Sequence, residues 1–163
     1  LFNLFPQNSF HKVLKQTQKY YEALTIPLIP VLHREFEYAV PVKNAAESLL
    51  ALRKIFDEGD ISTTLPVEVR YVAADQSLMS PARGQDVCYI GVSTQPNANE
   101  VYARVEPIMK DLGGRPHWGK HFTLQRSEVE AMYPDSYEKF RQIRKQLDPQ
   151  GVFTNTLLSQ LFD

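Results

Sequence analysis

Two periodicities alternate along the chain. In REFEYAVP, residues 34–41, Phe36, Tyr38 and Val40 alternate with Glu35, Glu37 and Ala39, which predicts a half-buried strand ended by Pro41. Directly after it, Ala45, Leu49, Leu52 and Phe56 recur at helical spacing as a single apolar stripe, closed by Gly59. Alternation returns in LPVEVRYVAA, residues 65–74. Val67, Val69, Tyr71 and Ala73 are predicted toward the core there, with Glu68, Arg70 and Val72 on the other face. Ser80, Pro81 and Gly84 mark a turn-rich stretch, and DVCYIGVST, residues 86–94, is the third strand. Asn97 with Glu100 has capping-box spacing. The helix behind it shows Val101, Val105, Ile108 and Leu112, with Gly113 as its stop.

Strand, helix, strand, strand, helix is most of a split β-α-β arrangement. The expected fold is therefore α+β: an antiparallel sheet with helices on one face, a ferredoxin-like domain, followed by a C-terminal helical segment and tail. Residues 1–31 read as a lead-in, with weak helical periodicity over 10–24 broken by the prolines of IPLIP. Residues 32–125 form the α+β domain, and residues 126–163 the C-terminal helices. In the latter, Ser127 with Glu130 is expected to cap a short helix, and Asp135 with Glu138 to open a longer one. Tyr137, Phe140, Ile143 and Leu147 form the stripe of the longer helix, and Asp148-Pro149 ends it. The tail GVFTNTLLSQLF is apolar enough to require a docking surface.

Composition narrows the function classes. The 163 residues are 43% hydrophobic and 23% charged, with Lys plus Arg at 18 against Asp plus Glu at 19. A formal net charge of -1 makes no electrostatic case for nucleic acid or an anionic membrane. Cys88 is the single cysteine, which excludes an internal disulfide and fits a reducing compartment. No membrane-length apolar run and no signal pattern occur, so a cytoplasmic location is expected. The chain lacks an initiating methionine, so a fragment or a chain trimmed to its ordered part is expected.

Gly-rich phosphate loops, cysteine pairs, HExxH and the nucleophile elbow are all missing. His117 and His121 are four apart but separated by Gly119 and read as a loop histidine and a packed one, not a metal pair. Glu68 and Arg70 lie two apart on a strand and share a face, about 6.6–7 Å apart. They can pair with each other while both address one ligand, or form an ordinary solvated ion pair. Tyr89, Gly91 and Ser93 line one face of the next strand and join that cleft if the two strands pair. The stretch GGRPHWGKHF, residues 113–122, gathers the only tryptophan, two of the four histidines and three of the seven glycines. Lys120 within it can present positive charge to a developing anion, or stand as an exposed loop lysine. Trp118 suits a core anchor.

GGRPHWGK and YPDSYEKFRQIRKQLDPQGVFTN, with VEVRYVAADQSLMSP and RGQDVCYIGVS upstream in the same order, resemble the C-terminal part of the sugar-lactone and alditol oxidases. These are FAD flavoproteins of the vanillyl-alcohol-oxidase type, and include L-gulonolactone, D-arabinonolactone and alditol oxidases. The resemblance runs over residues 35–162. It implies a cap domain on the substrate side of a flavin held mainly by a separate FAD-binding domain, in cis or in trans. It implies that Glu68, Arg70 and Lys120 are catalytic, with Arg70 and Lys120 also touching the cofactor, Lys120 at the pyrimidine end of the ring. Ser93, Tyr89 and His117 would bind a polyhydroxylated substrate, and the glycines around Trp118 would let the backbone approach closely. The implied reaction is hydride transfer from an alcohol carbon of an aldonolactone or alditol, with no metal. Gly91 stands where alditol oxidases carry histidine and Ser93 where they carry threonine, so lactone and alditol both remain open. A chain lacking the FAD-binding half would be inactive alone. The residues by themselves also admit a non-catalytic α+β interaction module docking through its apolar tail.

Overall fold

The computed structural model describes residues 34–58, 63, 65–94 and 98–163. Its elements are β1 (Arg34–Pro41), a 3-10 turn (Val42–Asn44), α1 (Ala45–Asp57), β2 (Glu68–Val72) and β3 (Val87–Thr94). They continue with α2 (Ala98–Asp111), β4 (Arg115–Pro116), α3 (Arg126–Met132), α4 (Tyr137–Leu147) and α5 (Thr156–Phe162). The sheet is antiparallel throughout, in the order β2-β3-β1-β4. This is the expected α+β, ferredoxin-like arrangement, with the two-residue β4 completing it. The lead-in, the Gly59 stop and the Asn97 cap lie outside the described residues.

One sheet face is sealed. Phe36, Tyr38 and Val40 of β1 and Cys88, Ile90 and Val92 of β3 pack against Ala45, Leu52 and Ile55 of α1 and Val101, Tyr102, Val105 and Met109 of α2. Inside this layer the Tyr38 hydroxyl donates to Glu106 at 2.6 Å. The same buried carboxylate accepts the Thr123 N–H at 2.9 Å and the Thr123 hydroxyl. Burial and the adjacent carboxylate push the Tyr38 phenol far above its ordinary value. Glu106 thereby ties the segment after Trp118 to the core.

The glycines at the end of α2 serve this packing. Gly113 takes φ +74 and its N–H bonds the Lys110 carbonyl, while the Gly114 N–H reaches back to Met109 at 2.8 Å, a Schellman stop. A Cβ on Gly114 would fall 2.6 Å from the Met109 carbonyl and 3.1 Å from Val40. The close approach these two residues allow is thus between α2 and β1.

The other sheet face is covered only in part. Ala39, Ala82, Val87 and Tyr89 form a small cluster beneath the loop that joins β2 to β3. That loop is pinned from outside: the Trp118 indole N–H donates to the Met79 carbonyl at 2.7 Å, and the Ser136 hydroxyl to Leu78 at 2.5 Å. Trp118 is a core anchor, packed with Tyr133, Tyr137, Leu161 and Phe162 of the C-terminal helices.

The structure corrects several expectations. Every residue of β2 is exposed, Tyr71 at 67%, so Val69 and Tyr71 do not face the core; only Val67 packs against it. Among the described residues β2 is the edge strand, paired on one side only, and the covering helices sit over β1 and β3. Glu37 and Ala39, expected on a solvated face, are buried because β1 is central and flanked by β3 and β4. In α1 the stripe is rotated: Ala45, Ser48, Leu52 and Ile55 are buried, while Leu49 and Phe56 lie at its margin. α3 starts two residues earlier than Ser127 predicts, capped at Gln125, whose N–H bonds Glu128 at 2.7 Å. α4 is preceded by Ser136 instead of Asp135, and only the first part of its stripe is covered, Leu147 being 80% exposed. Asp148 does end it, accepting the Val152 and Phe153 N–H groups at 2.8 and 2.9 Å. The tail divides: Leu161 and Phe162 are buried, Val152 and Phe153 exposed.

Candidate active site

Register decides which side chains meet. Glu68 lies opposite Gly91, and Gly91 opposite Glu37; Arg70 lies opposite Tyr89, and Tyr89 opposite Ala39; Ser93 lies opposite Glu35. Glu35, Glu37, Glu68, Arg70, Tyr89, Gly91 and Ser93 therefore share the second sheet face, with Glu37 and Tyr89 buried in it. Arg70 reaches across β3 to hydrogen-bond Glu37 through Nη2 at 2.5 Å. Its Nε stands 3.3 Å from Glu68, and its guanidinium lies over the Tyr89 ring at 5.1 Å. The Glu37 side chain is 7% exposed against 47% for Arg70. The hydrogen bond that Arg70 donates to Glu37 raises the Arg70 pKa above its ordinary value, with burial opposing. Burial first, then the Glu37 charge, raises the Tyr89 phenol.

Lys120 arrives from the other side of β1. After β4 the chain keeps bonding to β1, the His117 N–H to the Glu37 carbonyl at 2.9 Å and the His121 N–H to Glu35 at 3.1 Å. Between them lies a tight turn. The Lys120 N–H meets the His117 carbonyl at 3.0 Å, and the Gly119 N–H meets the His117 Nδ1 at 3.1 Å. The turn brings the Lys120 ammonium onto Glu35 as an ion pair. A surface cavity of about 340 Å³ opens here, lined by Arg34, Glu35, Gly119, Lys120 and His121. His121 stacks on Tyr102 at 4.8 Å, whose phenol is pushed up to about 12 by burial, and His117 meets the Tyr89 ring edge-on at 6.2 Å.

Of the residues expected from the sequence, Glu68, Arg70, Tyr89 and Ser93 are brought to one face as predicted. Lys120 joins through Glu35, and His117 sits at the rim with Nδ1 used by its own turn. Sequence reasoning missed Glu35 and Glu37. The signal was present: their alternation with Phe36 and Tyr38 puts them on one face, and pairing of that strand with DVCYIGVST would have set them beside Ser93 and Gly91. At the centre, Gly91 leaves a gap: a Cβ there would lie 3.5 Å from the Glu68 Cβ and 3.8 Å from the Glu37 Cγ. Arg70 and Lys120 bring a guanidinium and an ammonium to this face, each held by a carboxylate of β1.

The profile described as D-arabinono-1,4-lactone oxidase matches residues 2–161. L-gulonolactone oxidase of Scyliorhinus torazame is 41% identical over 133 residues, covering 77% of this chain and 30% of that protein. L-gulono-1,4-lactone dehydrogenase of Mycobacterium tuberculosis is 39% identical over 123 residues, covering 74% of this chain and 28% of that protein. Alditol oxidase of a Streptomyces species is 36% identical over 134 residues, covering 78% and 31%. The chain thus spans about three-tenths of the length of these relatives. It belongs to the D-arabinono-1,4-lactone oxidase family, whose members are flavin-linked oxidases and dehydrogenases of sugar lactones and alditols.

Proposed function

We propose that residues 32–125 are the substrate-side domain of an FAD-dependent oxidoreductase, and that residues 126–163 help dock it on the FAD-binding domain, in cis or in trans. The reaction is oxidation of an alcohol carbon of an aldonolactone or alditol. The observation that carries this reading is the gathering of Glu68, Arg70 and Lys120 on one sheet face, the two cations held by Glu37 and Glu35 of β1. FAD, when bound, supplies the hydride acceptor. Arg70 and Lys120 would offset the negative charge that reaches the acceptor with the hydride, while the carbinol hydroxyl releases its proton to water as the carbonyl forms; as fixed charges they would need no reorganisation at that moment. Glu68, 67% exposed and beside Arg70, accepts hydrogen bonds from substrate hydroxyls. Ser93 and Tyr89 offer hydroxyls along the same face, and His117 offers the ring nitrogen not held by Gly119. Exposed Leu147, Val152 and Phe153 supply apolar area for the docking.

The test is turnover of L-gulono-1,4-lactone, D-arabinono-1,4-lactone and an alditol by this chain combined with its FAD-binding domain. Arg70→Ala and Lys120→Ala are each expected to lower kcat/KM by roughly 10²–10³. Undiminished turnover in both variants rejects these roles.

A further inference from the structure

We infer that Glu37 is the positioning residue of Arg70: from the buried central strand it fixes the guanidinium that the exposed edge strand cannot hold by itself. The inference rests on the proposed role of Arg70. Among the described residues β2 is paired on one side only, and all five of its residues are exposed. A long arginine on such a strand carries about 2 kcal/mol of rotamer entropy. Glu68 cannot anchor it, being on the same strand and itself 67% exposed. Glu37 can. It belongs to β1, which is paired on both sides, and the five residues from Phe36 to Val40 are buried. The bond between them runs diagonally across β3, from Arg70 opposite Tyr89 to Glu37 opposite Gly91. The pair therefore ties three strands together.

Two consequences follow from the donor geometry. Nη2 is taken by Glu37 and Nε faces Glu68, which leaves Nη1 as the nitrogen with no acceptor among the described residues. With the Tyr89 ring below, that nitrogen has a fixed direction. Conversely, Arg70 is what makes a buried carboxylate tolerable at position 37, since an unpaired one is strongly disfavoured.

The experiment is a double-mutant cycle of Glu37→Gln and Arg70→Ala in the flavin-loaded protein with L-gulono-1,4-lactone as probe. It reads kcat and KM, the flavin midpoint potential and the thermal unfolding midpoint. Glu37→Gln is expected to lower kcat/KM roughly tenfold to a hundredfold with Arg70 present, and to add nothing in the Arg70→Ala background. Glu37→Asp, which keeps the charge but shortens the reach, should fall between. The potential gives an independent sign. Removing a negative charge alone raises it, whereas releasing a fixed cation lowers it, as Arg70→Ala does; the inference requires a fall. An equal loss of activity in both backgrounds, no loss, or a potential that rises or stays put overturns it. If Arg70→Ala itself alters neither turnover nor potential, the reading of the site fails and this inference with it. An effective Arg70→Ala beside an ineffective Glu37→Gln defeats the inference alone.

Discussion

The two faces of the sheet are built from the same strands, yet they differ in kind. Phe36, Tyr38, Val40, Cys88, Ile90 and Val92 point one way and are sealed under α1 and α2. Glu35, Glu37, Tyr89, Gly91 and Ser93 alternate with them and point the other way, where Glu68, Arg70 and Lys120 meet them. The first face gets its stability from area removed from water. The second retains three carboxylates and two cations, of which only Glu37 is buried and costly to leave without its partner. Half of the second face is closed by Ala39, Ala82 and Val87, so its opening around Gly91 is local. A face that stays open and charged on an otherwise well-packed sheet is where chemistry is expected.

The largest test of this contrast lies within β3. Ile90→Ala should cost about 2–5 kcal/mol, because Ile90 is fully buried beneath both helices. Ser93→Ala on the open face should stay within about 0.5 kcal/mol. Denaturant unfolding of both compares them directly, and similar costs would erase the distinction between faces. Next comes the seal itself. Gly114→Ala sets a Cβ against the Met109 carbonyl and Val40, and is expected to destabilise by about 1–3 kcal/mol in the same measurement. The smallest effect concerns the border between the helix layer and the C-terminal cluster, where Lys110 and Glu128 pair at 2.5 Å. The hydrogen bond from Lys110 lowers the Glu128 pKa from its ordinary 4.5. A depressed folded pKa means that the pair's contribution is present above the ordinary value and is lost as pH falls through the lowered one. Half-exposed as it is, the pair should be worth no more than about 1 kcal/mol. The thermal midpoint of Glu128→Gln should trail the native protein's at neutral pH and converge with it in acid.

Much of the fold was legible because the alternation in residues 34–41 and 86–94 and the helical stripe of residues 101–112 are uninterrupted. What failed has physical causes. Val69 and Tyr71 alternate as core residues do, but periodicity reports a face and not a neighbour, and the helices do not extend over the edge strand. The two-residue β4 is too short to show a period and contains a proline. Gln125 is a poor N-cap by composition, so Ser127 drew attention instead. The site was read in halves. Glu68 and Arg70 were found on one strand and Lys120 in one loop, while the strand that joins them was read as half solvated. A carboxylate becomes a buried partner only once register sets it across from a glycine, and register is a tertiary fact. Gly113 was legible as a helix stop, and its positive φ bears that out, whereas the packing of Gly114 against Met109 and Val40 is a tertiary contact that sequence does not show.

The most direct single measurement is anaerobic rapid mixing of the flavin-loaded protein with L-gulono-1,4-lactone, following flavin bleaching in the native protein and in Arg70→Ala. Bleaching slowed by about 10²-fold or more in the variant, with its unfolding still cooperative, is the predicted result. Equal rates would mean that the open face of the sheet is not where the substrate is oxidised.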